Sequence, residues 1–190
     1  MELRPAFDAL LGVDDAMAEA ALTASQPALG AIKLAWWREA FEKLDAAPAP
    51  PEPRLQAAAS ELLPRGLHGR RLAELEDGWL SLIDDTEDLA RVEEHGRAMF
   101  TLAGDLLGRP DPVLARAGAT WALADVARRT GEPRYLQAPM QPGHVPRPLR
   151  PLTMLAALAG RDGRRGWPPE PEATPQRALA ILRHRLTGKL

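Results

Sequence analysis

The chain has 190 residues, a net charge of −2 and no cysteine. Its length fits one domain, and without cysteine it can form neither disulfides nor thiolate metal sites. It contains no signal-peptide pattern and no apolar run near the roughly 18 residues of a membrane span. The sequence therefore predicts a cytoplasmic protein, or one that is peripheral to the inner membrane.

The two ends of the chain carry opposite charge. Residues 1–132 hold 14 basic and 23 acidic side chains, whereas residues 133–190 hold 10 and 3. A basic segment can contact nucleic acid, anionic lipid or the acidic part of its own chain. Because no basic run is interleaved with aromatic residues, we predict no nucleic-acid partner. We expect one domain, residues 1–190, with an acidic helical body (1–132) and a proline-rich basic extension (133–190).

Alanine and leucine dominate the chain and no alternating β-branched run occurs, which predicts an all-α fold. The predicted helices span 14–24, 28–45, 54–63, 69–83, 87–107, 112–130, 148–160 and 174–187. The breaks between them are short, which favours a bundle of about eight helices with antiparallel neighbours. Nine prolines fall between Pro139 and Pro175, so this region is expected to run extended over the surface between its helices.

The predicted helix at 28–45 carries an apolar stripe. The stripe consists of Leu29, Ile32, Trp36, Ala40 and Leu44, with Trp37 and Phe41 widening it. The charged residues Lys33, Glu39, Glu42 and Lys43 largely face away. A helix this apolar is usually part of a core, so the stripe is predicted to be buried.

The segment DDTED (84–88) has the aspartate spacing of a metal-diphosphate motif of prenyl-transferring enzymes. Within a helix, Asp84 and Asp88 would lie on one face, where they could share magnesium with a diphosphate. The apolar stripes before and after this segment are out of phase, however, which indicates a chain break. The favoured interpretation is a turn in which Thr86 or Asp85 caps the next helix and the last two acids of the segment lie in its first turn.

Five segments carry a family resemblance. They are PALGAIKLAWWREAFEKL (27–44), AMFTLAGDLLG (98–108), AGATWALADVARR (117–129), PRYLQAP (133–139) and RALAILRHRLTGKL (177–190). These segments resemble the squalene/phytoene synthase family, above all its short bacterial members and the related mitochondrial complex I assembly factors. The resemblance lies in the order of the segments along the chain and in the first segment, called here the tryptophan helix. The matched positions of that helix are Ile32, Lys33, Leu34, Trp36, Trp37, Arg38, Glu39 and Ala40. The resemblance implies a single helical bundle of the trans-isoprenyl diphosphate synthase type.

Catalytic members of that family condense two prenyl diphosphates, using two aspartate-rich motifs with magnesium between them. The resemblance places the first motif at GVDDAMAEAA (12–21), where Asp14 and Asp15 stand at its start. Ala18 occupies the position of the closing aspartate, and Glu19 offers Asp15 a carboxylate partner four residues on. The alternative, from the residues alone, is a solvated acidic face of the first helix.

The resemblance places the second motif at ALADVARRTGEP (122–133). There Asp125 is followed by Arg129, where the family has a second carboxylate. A guanidinium at this point would repel magnesium, although Arg128 and Arg129 could contact a diphosphate. Asp125 shares a face with Leu114, Gly118 and Trp121. It is therefore either paired with one of the two arginines or a polar anchor in a retained cavity.

The favoured hypothesis is a non-catalytic family member, with no catalytic or metal-binding residue assigned and no cofactor. Its role would be accessory, as in assembly of a respiratory complex or binding of an isoprenoid or lipid. One alternative is an active transferase that condenses two prenyl diphosphates, with Mg²⁺ held by Asp14, Asp15, Glu19 and Asp125. The other is a structural interaction protein without a ligand.

The final segment, residues 177–190, has the pattern of an amphipathic basic helix. Leu179, Leu182 and Leu186 lie on one face, and Arg183, His184, Arg185 and Lys189 cover much of the rest. Such a helix could lie on an anionic membrane surface as a peripheral contact. The alternative is that it docks on the acidic body of the same chain.

Overall fold

A computed structural model describes residues 2–84, 88–137 and 143–190. Apart from a bridge between His144 and Lys189, these residues form helices, turns and irregular connections. The α-helices are α1 (Arg4–Leu22), α2 (Pro27–Lys43), α3 (Pro53–Ala57), α4 (Gly69–Ala73), α5 (Glu76–Leu80), α6 (Leu89–Leu106), α7 (Pro112–Thr130), α8 (Met154–Arg165) and α9 (Pro175–Thr187). The all-α prediction is confirmed. Within these described ranges, no helix combines the length and the apolar character that crossing a membrane requires.

The chain divides into two compact units. The first comprises Met1–Arg91 with Asp105–Gly108, and the second comprises Val92–Gly104 with Arg109–Leu190. Helices α1 to α5 belong to the first unit and α7 to α9 to the second, while α6 contributes to both. The change of composition near residue 133 lies inside the second unit, so it is not a boundary between the two.

Helix α1 begins ten residues before its predicted start at residue 14. Pro5 is favourable in the first turn of the helix, because N–H groups at that position have no acceptor within the helix and proline lacks an N–H. The buried face of α1 is formed by Ala6, Ala9, Leu10, Val13 and Met17. These residues keep helical spacing from residue 6 onward, so the helix extends as far as the stripe that it buries.

The predicted helix at 69–83 is interrupted, and forms α4 and α5 with a turn between them. The carboxylate of Asp45 caps α4 by accepting the N–H groups of Gly69 (2.6 Å) and Arg70 (3.0 Å). Partial burial raises the pKa of Asp45, but these two backbone donors outweigh it and hold the pKa below its ordinary value. A Cβ at position 69 would lie 2.0 Å from the Phe41 carbonyl oxygen, so α4 meets α2 backbone against backbone.

Helix α2 buries only part of the predicted stripe, including the two rings that widen it, Trp37 and Phe41. Ala40 and Leu44 are buried as expected, but Leu29 is exposed, and so are Ile32 (66%) and Trp36 (50%). The buried residues are Gly30, Leu34, Trp37, Ala40 and Phe41. Because apolar and charged residues are interspersed around α2, its sequence does not decide which side is covered. The side that carries the stacked rings of Trp37 and Phe41 (5.6 Å) is the one that meets α4.

The core of the second unit depends on a close crossing of α6 and α7. A Cβ on Gly96 would lie 2.2 Å from the Gly118 carbonyl oxygen, and one on Gly118 would lie 1.9 Å from that of Gly96. Only glycine at both positions permits this approach. Beside the crossing, the ring of Trp121 packs against Phe100 at 5.4 Å.

Replacing Gly96 with alanine should destabilise the chain by about 2–3 kcal/mol, because the added methyl group meets backbone that cannot move aside. Gly12 is the matched control, since a Cβ there has open space around it on helix α1. Gly12→Ala should be neutral or stabilising by up to about 1 kcal/mol, as expected for glycine replaced within a helix. Urea unfolding of both variants measures the difference, and equal free energies of unfolding would refute the close crossing.

Candidate functional site

The DDTED segment lies partly outside the described residues, since Asp85, Thr86 and Glu87 are not among them. The predicted caps at Asp85 and Thr86 therefore stay predictions. Asp84 and Asp88 both lie outside helices, between the end of α5 and the start of α6. The predicted break is confirmed at these two positions, so their carboxylates do not share a helix face.

Asp84 and Asp88 have local partners instead of a common ligand. Asp88 was expected in the first turn of α6, but it precedes the helix, and its Oδ1 accepts the Ala90 N–H at 2.8 Å. It therefore satisfies a backbone donor that the helix itself cannot satisfy. The Asp84 carboxylate accepts a hydrogen bond from Arg91, which also donates to Asp77 at 2.7 Å. These two acids raise the pKa of Arg91, with the hydrogen bond to Asp77 the larger cause.

The first candidate motif splits over two faces of α1. Asp14 is buried, and its carboxylate accepts the indole N–H of Trp79 at 2.8 Å. Ala18, where the resemblance would place an aspartate, is also buried. Asp15 and Glu19 instead lie on the exposed face, where Glu19 pairs with Arg54 at 2.8 Å. The structure therefore does not place Asp14 on one face with the other two acids.

The second candidate motif contains the ion pair that its sequence suggested. Arg129 Nε donates to Asp125 Oδ2 at 2.7 Å, four residues apart on α7. Both side chains are partly exposed, so the pair itself contributes little to stability, about 1 kcal/mol or less. Its effect on a metal site is larger. A guanidinium about 4 Å from a divalent cation is repelled by roughly 2 kcal/mol in water and roughly 8 kcal/mol at an effective dielectric constant of 20.

Arg128 pairs with Asp162, a contact that the sequence interpretation missed. Arg128 Nη2 donates to Asp162 Oδ2 and to the Glu170 carbonyl oxygen, each at 2.7 Å. Arg177 Nη1 contacts both oxygens of the same carboxylate at 2.9 Å. The buried carboxylate of Asp162 on α8 thus binds arginines of both α7 and α9, and Arg128 is one of these two arginines.

Glu170 forms a second ion pair beside Asp162. Its carboxylate accepts hydrogen bonds from Arg161 at 2.8 Å and from Thr174 at 2.7 Å. The Arg161 bond, followed by the Thr174 bond, lowers the pKa of Glu170. One signal in the sequence favoured such pairs: the segment 133–190 contains only three acids among ten basic side chains.

Glu76 on α5 is a buried acid that no motif marked. Burial raises the pKa of Glu76, and the charge of Arg38 offsets only part of that rise. A raised pKa means that the folded chain holds this proton more tightly than the unfolded chain does. Stability therefore falls as pH rises from the ordinary glutamate value of 4.5 towards the raised one.

Comparisons of the chain with protein-family models, with curated proteins and with solved structures find no match. The candidate acids of the two motifs belong to different units, with Asp14, Asp15 and Glu19 in the first and Asp125 in the second. Within each unit, these carboxylates have partners on the protein itself.

Asp162→Asn should destabilise the chain by about 3 kcal/mol or more, because it leaves the charges of Arg128 and Arg177 without a counter-ion. Asp125→Asn is the matched control, since it removes a partly exposed pair and should cost at most about 1 kcal/mol. Urea unfolding at neutral pH compares the two variants. A control as destabilising as Asp162→Asn would contradict the assignment of Asp162 as the central contact.

Glu76→Gln should raise the melting temperature at pH 7 by a few degrees, because the amide avoids the cost of a buried charge. At about pH 3, well below the ordinary value of 4.5, the glutamate is protonated in both states, so the variant and the parent chain should melt together there. Calorimetry at both pH values tests this. The account fails if the variant melts below the parent at pH 7.

Proposed function

We propose that this chain is a non-catalytic member of the squalene/phytoene synthase family, with a bundle of the trans-isoprenyl diphosphate synthase type. Its role is accessory, in the assembly of a respiratory complex or in the binding of an isoprenoid chain. One observation carries the proposal: where the family's catalytic motif has a second carboxylate, Arg129 stands and pairs with Asp125. The family resemblance itself rests on the sequence segments.

The remaining acids support the same conclusion. Asp14 is buried and accepts a hydrogen bond from Trp79, and Glu19 pairs with Arg54. To hold magnesium with a diphosphate, a site needs several carboxylates that face the ion together. On α1, Asp14 does not share a face with Asp15 and Glu19, and on α7 the Asp125 carboxylate is bound by a guanidinium.

An exposed part of the tryptophan helix supports an accessory role. Leu29, Ile32 and Trp36 follow one another at helical spacing and all three are exposed. Exposed aromatic and aliphatic residues in a row are typical of surfaces that bind other molecules, and tryptophan is prominent among residues that dominate binding energy. A protein that acts through a partner requires such a surface.

The test is release of diphosphate from farnesyl and geranylgeranyl diphosphate in the presence of magnesium. We expect no release above that of buffer, because the metal cluster that activates the leaving group lacks ligands. An active prenyl-condensing enzyme is the positive control for the assay, and circular dichroism with a cooperative melt establishes that the chain is folded.

The same assay separates the enzyme alternative. An active transferase would release diphosphate, and the variants Asp15→Asn and Asp125→Asn would each abolish that release. Turnover that depends on these two carboxylates would overturn the proposal.

A further inference from the structure

Helix α9 is oriented with its polar side inward. Arg177 and His184 are buried, whereas Leu179 (65%), Leu182 (51%) and Leu186 (70%) are exposed. The apolar stripe predicted from the sequence is therefore present, but it faces outward. A surface helix normally covers its apolar side, so the reversed orientation of α9 requires a cause.

Polar contacts fix this orientation. Arg177 binds the buried carboxylate of Asp162. His184 Nδ1 donates to the Lys189 carbonyl oxygen at 2.8 Å, and its Nε2 lies 2.9 Å from the Thr153 hydroxyl. Arg150 Nη1 donates to the Arg185 and Leu186 carbonyl oxygens at 3.0 and 2.8 Å, which satisfies acceptors at the end of the helix. These contacts hold α9 in place while its leucines stay uncovered.

Cations surround the leucine stripe. On a helix with 3.6 residues per turn, Arg183 and Arg185 lie roughly 70–90° to either side of the stripe. Both are exposed, as are Lys189 and the two arginines of α8, Arg164 and Arg165. This surface therefore combines an apolar centre with a positively charged border.

A groove of about 760 Å³ adjoins the stripe within the same unit. Its charged lining residues are Arg161, Arg164, Arg165, Arg183 and Lys189, and Leu179 contributes both to the groove and to the stripe. The nearby acids Asp162 and Glu170 are buried and paired with arginines. The groove thus carries a net positive charge next to an apolar surface.

We propose that α9 and this groove bind the surface of an anionic phospholipid bilayer. The leucine stripe enters the boundary of the acyl chains, while the arginines of the groove bind lipid phosphates. The apolar centre and the positively charged border together favour a bilayer. An anionic bilayer offers acyl chains to the leucines and phosphate groups above them to the cations. The phosphates of nucleic acid would bind the cations, but nucleic acid has no apolar layer that could cover three exposed leucines. This inference does not depend on the proposed catalytic state.

The experiment is co-sedimentation of the full chain with vesicles. The chain should bind vesicles of phosphatidylcholine mixed with phosphatidylglycerol, and bind pure phosphatidylcholine vesicles much more weakly. Because surface charges are screened by salt, binding should fall as ionic strength rises. Arg183→Gln with Arg185→Gln should lower the partition coefficient roughly 30-fold. Leu182→Gln with Leu186→Gln should lower it roughly tenfold or more.

Each double variant has a matched control. Arg109→Gln with Arg116→Gln removes the same charge from exposed positions that do not line the groove, and Leu11→Gln with Leu22→Gln removes two exposed leucines from α1. Both controls should bind like the parent chain. Binding that ignores phosphatidylglycerol, or that falls equally in variants and controls, would overturn the proposal. So would failure to bind vesicles together with dimerisation, which would assign the stripe to a second copy.

Discussion

Pairing of carboxylates with guanidinium groups is the interaction on which this structure depends. Asp162 draws Arg128 and Arg177 together, Glu170 binds Arg161, and Arg91 holds Asp77 and Asp84. A buried carboxylate without such a partner would cost several kcal/mol. In the second unit this pairing joins α7, α8 and α9, and it fixes which side of α9 faces the solvent. The architecture of that unit and its exposed surface therefore share one cause.

The same interaction connects the fold to the proposed function. Magnesium and arginine bind the same ligand, a carboxylate, and a guanidinium next to that carboxylate repels the metal ion. Arg129 lies on the same helix as Asp125, four residues later, so the helix itself places the guanidinium beside the carboxylate. Under the proposed function, Arg129 accounts for a helical scaffold without metal chemistry. The surface would then carry the role, and α2 and α9 both expose apolar stripes.

Local features of the sequence were sufficient for several elements. Pro27 and Pro112 mark the first turns of α2 and α7, and the pairing of Asp125 with Arg129 follows from their spacing. The uncovered sides of α2 and α9 could not be predicted, since each depends on residues distant in sequence. For α2 the deciding contact is between Phe41 and Gly69, and for α9 it is Arg177 with Asp162. Periodicity locates an apolar stripe, but only the partner decides whether it is buried.

The central claim is that a guanidinium stands where a metal cluster would need a carboxylate. Titration of the folded chain with Mn²⁺ in the presence of inorganic diphosphate, followed by electron paramagnetic resonance, tests it most directly. Because hexaaquo Mn²⁺ gives a sharp signal that is lost on binding, the account predicts that the titration curve of the chain with diphosphate coincides with the curve of protein-free diphosphate buffer. Uptake of two or more ions per chain at micromolar concentration, abolished by Asp125→Asn, would contradict it.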